Sequence, residues 1–142
     1  IKMAVITDYI PVSTEGFTDI IDITPEIRAS LKKTKLRSGT MTVFISGSTA
    51  GVTTIEYEPG LLKDLPEALE KIAPVNKRYH HDDTWGDGNG FSHVRAAMVG
   101  CSLTIPFTDG RLLLGTWQQV VVIDFDNRSR HREVVVQIMG EE

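Results

Sequence analysis

Three of the four histidines of this chain lie within one segment, YHHDDTWGDGNGFSH at residues 79–93. His81 and His93 stand twelve positions apart, so a metal site that uses both requires the intervening glycines to fold the segment back on itself. Mixed imidazole and carboxylate ligands suit a transition metal such as Zn²⁺, whereas carboxylates and water suit Mg²⁺. We therefore predict a divalent-metal site at His81, His93 and Asp87, with Asp82, Asp83 or Asn89 as alternative oxygen donors. A solvated loop with ordinary hydrogen bonds is the alternative that these residues leave open.

A small polar turn, GSTAG at residues 47–51, separates two predicted strands. Its backbone N–H groups and the hydroxyls of Ser48 and Thr49 are suited to holding a phosphate or carboxylate group. It is not a Walker loop, because the Gly-Lys-Ser/Thr ending is missing. A plain hairpin loop is the alternative, since glycine and serine are common in such loops.

Five further side chains are candidates for binding or proton transfer. Arg95, Arg130 and Arg132 carry guanidinium groups, which hold phosphate through two-point hydrogen bonding, although Arg130 and Arg132 equally suit an exposed turn or a subunit contact. Glu56 is a candidate general base, although a strand glutamate is more often solvent-facing. Gln118 follows Trp117 at the start of a long predicted strand and is a candidate contact to a ligand.

The amino-acid composition limits the classes of protein to which this chain can belong. The chain has 142 residues, of which 41% are hydrophobic, and this suits one domain over residues 1–142. A net charge of −4 argues against a nucleic-acid-binding protein, because such proteins bind through clustered basic residues. No apolar run approaches the roughly 20 residues that span a bilayer, so we expect no membrane partner. The single cysteine, Cys101, excludes an internal disulfide and favours a reducing, cytoplasmic location.

Apolar patterns predict the elements that position these residues. Strands are predicted where apolar residues alternate, at 3–7, 17–23, 40–46, 53–58, 102–107, 111–115, 116–126 and 131–139. Helices are predicted at 24–38, at 66–72 after a break at Pro66, and at 91–99, with a loop from 79 to 90. The last strands are expected to form a C-terminal β-meander. The order of elements indicates an α+β fold with about seven or eight strands and about three helices.

Six stretches stand in an order that resembles the YjbQ-like family, also called the secondary thiamine-phosphate synthase-like family. They are FTDIIDIT (17–24), GSTAGVTTIEYEPGLLKDL (47–65), YHH (79–81), GNGFSHVRAAMVGCSL (88–103), GRLLLGTWQ (110–118) and RSRHREVVVQIMGE (128–141). The resemblance implies a mixed, strongly curved β-sheet with helices packed on it. It also implies a homotrimer, or a dimer of trimers, with clefts between subunits. The physiological role of the family is poorly established.

The resemblance also gives roles to particular positions. His81 falls on the histidine of a Y-x-H pattern, His93 on a second family histidine, and Glu56 on a glutamate that follows the turn. Many members carry a histidine where this chain has Gly47, whereas an archaeal-looking branch shares the GSTA form. If that histidine is a metal ligand or an acid–base group, this chain lacks it.

Two hypotheses of different classes follow. The first, implied by the resemblance, is a transferase that joins a pyrimidine pyrophosphate to a thiazole phosphate in a cleft between subunits. Its catalytic residues would be His81, His93 and Glu56, and a phosphorylated substrate would be bound by Ser48, Thr49, Arg95, Gln118 and Arg130. The second is a non-catalytic trimeric module that binds a metal ion or an anionic metabolite.

Overall fold

The computed structural model describes residues 2–142, and these form eight strands and four helices. The strands are β1 (Met3–Thr14), β2 (Asp19–Asp22), β3 (Ser38–Ile45), β4 (Ala50–Ile55), β5 (Ser102–Thr108), β6 (Arg111–Leu112), β7 (Gln119–Asp124) and β8 (Arg130–Glu141). The helices are α1 (Thr24–Lys32), α2 (Leu61–Ile72), α3 (His80–Trp85) and α4 (Gly90–Val99). None of the helices within residues 2–142 is long and apolar enough to cross a membrane.

The strands form a strongly curled antiparallel half-barrel in which two sheets are distinguished. The larger has the order β1-β8-β3-β5-β6 and the smaller β2-β7-β4. Every strand pair in the described chain is antiparallel, so the α+β class is confirmed and the expected mixed sheet is corrected. The hairpin predicted at Asp109-Gly110 is present, because both residues adopt the positive φ values, 53° and 72°, that a tight turn requires.

Strand β7 lies between two hydrophobic cores. Val120 and Val122 face the larger core, which the two sheets and α1 enclose. Val121 and Ile123 face the smaller core, which lies under α2 and α4. Both faces of this strand are therefore buried, and this explains why its sequence is a continuous apolar run without polar alternation.

The predicted C-terminal meander is wrong. Strand β8 pairs with β1 and β3, not with β7, so the chain changes sheets between Asp124 and Arg130. The change is held by buried ion pairs: Asp126 accepts hydrogen bonds from Arg130, and Asp124 accepts them from Arg132. These pairs fix the end of β7 against the start of β8 across the two sheets.

Three local predictions also differ from the structure. Helix α2 continues through Pro66, because Leu62, Leu65 and Leu69 on either side of it pack against the smaller core. Residues 80–85 form α3 although none of them is buried, so the apolar pattern did not indicate a helix there. Residues 113–118 are not a strand, since Gln118 N–H bonds back to the Gly115 carbonyl in a turn.

Candidate functional site

A cleft of about 420 Å³ lies between the turn that follows β3 and helix α4. Gly47 and Ser48 of the turn form one wall, and His93 of α4 lies in the other. The remaining lining residues are small, namely Ala50, Ala96, Ala97, Gly100 and Cys101. A larger open cleft of about 1190 Å³, beside Arg28 and Arg37, contains none of the predicted site residues.

The two predicted site histidines lie side by side next to this cleft. The ring centroids of His81 and His93 are 4.1 Å apart, and the ring planes are tilted by 36°. The chain folds back between them because Gly86 ends α3 in the left-handed region, at φ 71°, and α4 starts at Gly90. The predicted return of the segment at its glycines is therefore present.

Two carboxylates approach the inner edge of the His81 ring. Its Nδ1 is 3.6 Å from Asp87 Oδ1 and 4.0 Å from Asp82 Oδ1, and the three atoms lie within 4.8 Å of one another. Nδ1 is buried and has no hydrogen-bond partner among residues 2–142. His93 does not join this group within the same distance, but its ring lies beside that of His81, tilted by 36°. The structure thus brings His81 together with Asp87 and with Asp82, one of the alternative oxygen donors.

The environment of His93 favours its neutral form. Burial lowers its pKa below the ordinary 6.5, and the charge of protonated His81 lowers it further, while Asp87 and Asp126 oppose the change. A neutral imidazole has one nitrogen with a free lone pair, which accepts a proton or binds a metal ion. His93 therefore enters the cleft as an acceptor near neutral pH.

This lowered pKa predicts a pH-dependent stability. Above the unfolded-state pKa of about 6.5 the contribution of neutral His93 is fully present. As the pH falls from there towards the folded pKa, the unfolded chain takes up a proton first and the free energy of unfolding decreases. Urea unfolding between about pH 7.5 and about pH 5.5 is therefore expected to show a smaller loss of stability for His93→Gln than for wild type. His80→Gln, which alters an exposed neighbour, is the control, and equal losses in wild type and His93→Gln would contradict the assignment.

Beneath the turn lies a network of buried charges. Asp124 and Asp126 are both 0% exposed. Arg132 donates to Asp124 Oδ2 from Nε, at 2.8 Å, and to Thr49 Oγ1 from Nη2, at 2.7 Å. Thr49 Oγ1 in turn donates to Asp126 Oδ2 at 3.1 Å. The Thr49 hydroxyl, predicted to bind substrate, thus already makes hydrogen bonds to Arg132 and Asp126 that stabilise the turn.

Asp126 remains charged despite its burial. Burial alone would raise its pKa, but hydrogen bonds from the Asn127 backbone N–H, Asn89, Arg130 and Thr49 outweigh this and lower the pKa to about 2. The stabilisation that this carboxylate gives is present above about pH 3.8 and is lost as the pH falls towards 2. Arg130, predicted to bind substrate, donates hydrogen bonds from Nε and Nη2 to this carboxylate.

Arg95 is a structural residue in this fold. Its side chain is 3% exposed and lies beside α2, not in the cleft. Its guanidinium donates to the Ala73 carbonyl, to Thr18 Oγ1 at 2.8 Å and to Glu70 Oε2 at 2.7 Å. It joins the end of α2 to the start of β2, and the structure shows none of its donors directed to the predicted site.

Glu56 and Gln118 lie at the opposite end of the smaller sheet. The turn precedes the first residue of β4, whereas Glu56 follows its last residue. At about 3.3 Å per residue the two ends of this six-residue strand are roughly 17 Å apart. Gln118 lies at the same far end, where its Nε2 donates to Thr54 at 3.2 Å. Neither side chain reaches the His93 cleft of its own chain.

The sequence reasoning missed the carboxylates that position the turn. Asp124 and Asp126 end an apolar run in the sequence VVVIDFD, and Arg130 and Arg132 follow with the same spacing of two. Charged residues directly after a fully buried strand are a usable signal, because a buried charge requires a partner. Asn89 was missed as a structural residue too: its Nδ2 donates to Asp126 Oδ1, and its own buried Oδ1 has no partner among residues 2–142.

Comparison with known proteins agrees with this architecture. The family model described as "UPF0047 protein YjbQ-like" matches residues 8–141. A UPF0047 protein of Methanocaldococcus jannaschii is 34% identical over 131 residues, covering 92% of this chain and 91% of that protein. The UPF0047 protein YugU of Bacillus subtilis is 32% identical over 130 residues, covering 91% and 96%.

Solved structures show the same fold. A YbjQ-like protein of unknown function from Sulfolobus solfataricus superposes with a TM-score of 0.93 at 28% identity, covering 99% of this chain and 100% of that one. A hypothetical protein from Aeropyrum pernix gives a TM-score of 0.88 at 30% identity, covering 95% and 98%. The chain therefore belongs to the YjbQ-like UPF0047 family, whose function is not established.

Proposed function

We propose that this chain binds a divalent transition-metal ion at His81 and uses it to hold a phosphorylated or otherwise anionic small molecule in the cleft beside His93. One observation carries the proposal: a buried imidazole nitrogen without a hydrogen-bond partner faces two carboxylate oxygens. A buried polar atom without a partner is costly, and a metal ion or an ordered water is what ordinarily satisfies it.

The spacing of these atoms fits a metal better than it fits hydrogen bonds. Distances of 3.6 Å and 4.0 Å from His81 Nδ1 to the carboxylates of Asp87 and Asp82 are too long for hydrogen bonds. Two ligand atoms that each lie about 2.1 Å from a tetrahedral Zn²⁺ are about 3.4 Å apart. The Asp87 spacing is close to this value. Asp82 also accepts hydrogen bonds from the N–H groups of Tyr79 and Gly90, so its position is fixed by the fold.

His93 lies between the proposed metal ligand His81 and the open cleft. Its neutral ring lies beside that of His81 and lines the cleft, so His93 could complete the ligand set after a small rotation or accept a proton from a bound molecule. Three ligands with an open position are typical of metal sites that bind substrates or inhibitors. A bound divalent ion would supply positive charge that polarises an anionic ligand.

Calorimetric titration of chelator-treated protein tests the proposal. We expect one Zn²⁺ per chain, with weaker binding of Mg²⁺ because the site contains an imidazole. Zn²⁺ binding should weaken in Asp87→Ala and be unchanged in His131→Ala, which removes a histidine on β8 outside the group. The absence of stoichiometric Zn²⁺ binding to the wild-type protein would contradict the proposal.

A thiamine-phosphate synthase-like transferase is the second candidate. The observation that favours it is the shared cleft of the Gly47-Ser48 turn and His93, which places exposed backbone and hydroxyl groups beside an acid–base group. The reaction releases pyrophosphate and needs positive charge to stabilise it. Arg95 and Arg130 are already paired with Glu70 and Asp126, so most of that charge would have to come from a metal ion.

Turnover separates the two candidates. The transferase hypothesis predicts that wild-type protein with Mg²⁺ or Zn²⁺ forms thiamine phosphate from the pyrimidine pyrophosphate and thiazole phosphate. A His81→Ala, His93→Ala double variant should then lose this activity. Equal rates in the wild type and the double variant would exclude the site from the reaction, whereas Zn²⁺ binding without turnover would support the binding function alone.

Self-association into a trimer is part of the proposal. Strand β1, with twelve residues, leaves one edge of the larger sheet unpaired, and an open edge of this length favours pairing with another chain. Val5 and Met139 are directly paired on the outer face of that sheet and are 60% and 50% exposed. Glu56 can reach a His93 cleft only from a neighbouring copy. Light scattering that gave a monomer would contradict this part.

A further inference from the structure

The space beside Gly47 is open and is bounded by a single charged group. Gly47 lies in the turn between β3 and β4 with a backbone φ of 116°, which side-chain-bearing residues rarely adopt. Among residues 2–142, and apart from its two neighbours in the chain, a Cβ placed on Gly47 would have one atom within 4 Å, the Nη1 of Arg132 at 3.0 Å. The absence of a side chain at this position thus leaves one edge of a guanidinium group accessible from the turn.

Hydrogen bonds from Nε and Nη2 hold the Arg132 guanidinium in place, and Nη1 stays without a hydrogen-bond partner among residues 2–142. Its Nε and Nη2 donate to the two carboxylate oxygens of Asp124 at 2.8 and 3.0 Å, and Nη2 also donates to Thr49. The arginine side chain is 11% exposed and the aspartate side chain 0%. Nη1 donates no hydrogen bond to any residue from 2 to 142, although arginine remains charged and carries five N–H donors. These two N–H groups are therefore oriented and available for an external acceptor.

The next residue of the turn carries a further unused donor. Ser48 is exposed, and its hydroxyl makes no hydrogen bond within the described chain. Gly47, Ser48 and His93 all line the cleft of about 420 Å³. Donors that approach from a guanidinium edge, a hydroxyl and a turn backbone suit a tetrahedral oxyanion with several acceptor oxygens.

We propose that the phosphate group of a phosphorylated small molecule binds at the turn, against Arg132 Nη1 and Ser48, in the space that Gly47 leaves open beside the cleft. A phosphate fits better than a carboxylate, because the two-point fork of Arg132 is already occupied by Asp124 and only single donors remain. Asp124 neutralises the charge of Arg132. The guanidinium therefore orients the phosphate through hydrogen bonds more than it attracts the phosphate through net charge. This inference rests on the proposed function in one respect: the metal ion at His81 supplies the net positive charge that strengthens binding.

Titration with methyl phosphate at constant ionic strength, followed by NMR, tests this site in wild-type protein with and without Zn²⁺. Gly47→Ala places a Cβ against Nη1 and is expected to weaken methyl phosphate binding roughly tenfold or more, the usual effect of losing a hydrogen bond to a charged group. Gly110→Ala is the matched control, since it has φ 72° and its Cβ would lie 3.2 Å from Arg37 Nη1, away from the cleft. Ser48→Ala, which adds no backbone strain, is expected to weaken binding several-fold, and Ser46→Ala to leave it unchanged.

The outcomes separate this inference from the metal site. Zn²⁺ binding without methyl phosphate binding, or methyl phosphate binding that Gly47→Ala and Ser48→Ala leave unchanged, would overturn the phosphate site and leave the metal site standing. Methyl phosphate binding that both variants weaken, in protein that binds no Zn²⁺, would support the phosphate site and overturn the metal site.

Discussion

Replacing His81 with alanine is expected to weaken Zn²⁺ binding by about 100-fold or more. Loss of a group that only orients a metal ligand already weakens binding 10- to 100-fold, so loss of a direct ligand belongs at or above the upper end of that range. The structural reason is that His81 Nδ1 is the one buried imidazole nitrogen without a partner among residues 2–142, and Asp82 and Asp87 face it. Competition with a chromophoric chelator measures the dissociation constants of both proteins.

The matched control is His80→Ala. His80 precedes His81 on α3 and is exposed, and it is not part of the group formed by His81, Asp82 and Asp87. Its replacement preserves the chain length, the helix and the other histidines, so Zn²⁺ affinity should stay within about twofold of wild type. Equal losses in the two variants would show that binding depends on general histidine content and not on this site.

Replacing Asp124 with alanine is expected to lower the free energy of unfolding by about 3–5 kcal/mol. The change removes a carboxylate that accepts four hydrogen bonds, two from Arg132 and one each from Thr14 and the Asp126 backbone N–H. It also leaves a guanidinium that is 11% exposed without its main partner. Breaking a buried ion pair from one side is strongly destabilising for this reason. Asp126 Oδ2, at 3.8 Å from Arg132, compensates only in part. Urea unfolding monitored by circular dichroism measures the difference.

Asp109→Asn is the control for the loss of one carboxylate, because asparagine tolerates the positive φ of 53° that this turn position requires. Asp109 is 84% exposed and lies 4.0 Å from Arg37, so an effect within about 0.5 kcal/mol is expected. A difference of less than about 1 kcal/mol between the Asp124 and Asp109 variants would show that the buried network does not stabilise the sheet change.

The sequence predicted the features whose cause is local. The hairpin at Asp109-Gly110 followed from residues that tolerate positive φ. The approach of His81 to His93 followed from the glycines between them, because Gly86 adopts the left-handed backbone conformation that ends α3. Strand β7 lies within the strand predicted at 116–126, although it starts only at Gln119.

Other features depend on groups that are distant in the chain. The pattern of β7 shows that both faces are buried but not which strands are its neighbours. Those are β2 and β4, which come much earlier in the chain, and Asp–Arg pairs link the end of β7 to β8 in the other sheet. Helix α3 buries none of its side chains, so no apolar period marks it. Glu56 is close to the turn in sequence, yet an extended strand separates the two.

The central claim is that His81 Nδ1 binds a divalent metal ion together with Asp87. Anomalous diffraction at the zinc absorption edge, from crystals of the protein equilibrated with one equivalent of Zn²⁺, tests it most directly. We predict a single strong peak about 2.1 Å from His81 Nδ1 and from an Asp87 carboxylate oxygen, beside the His93 cleft. A peak at other residues, or no peak within bonding distance of His81 Nδ1, would contradict the account.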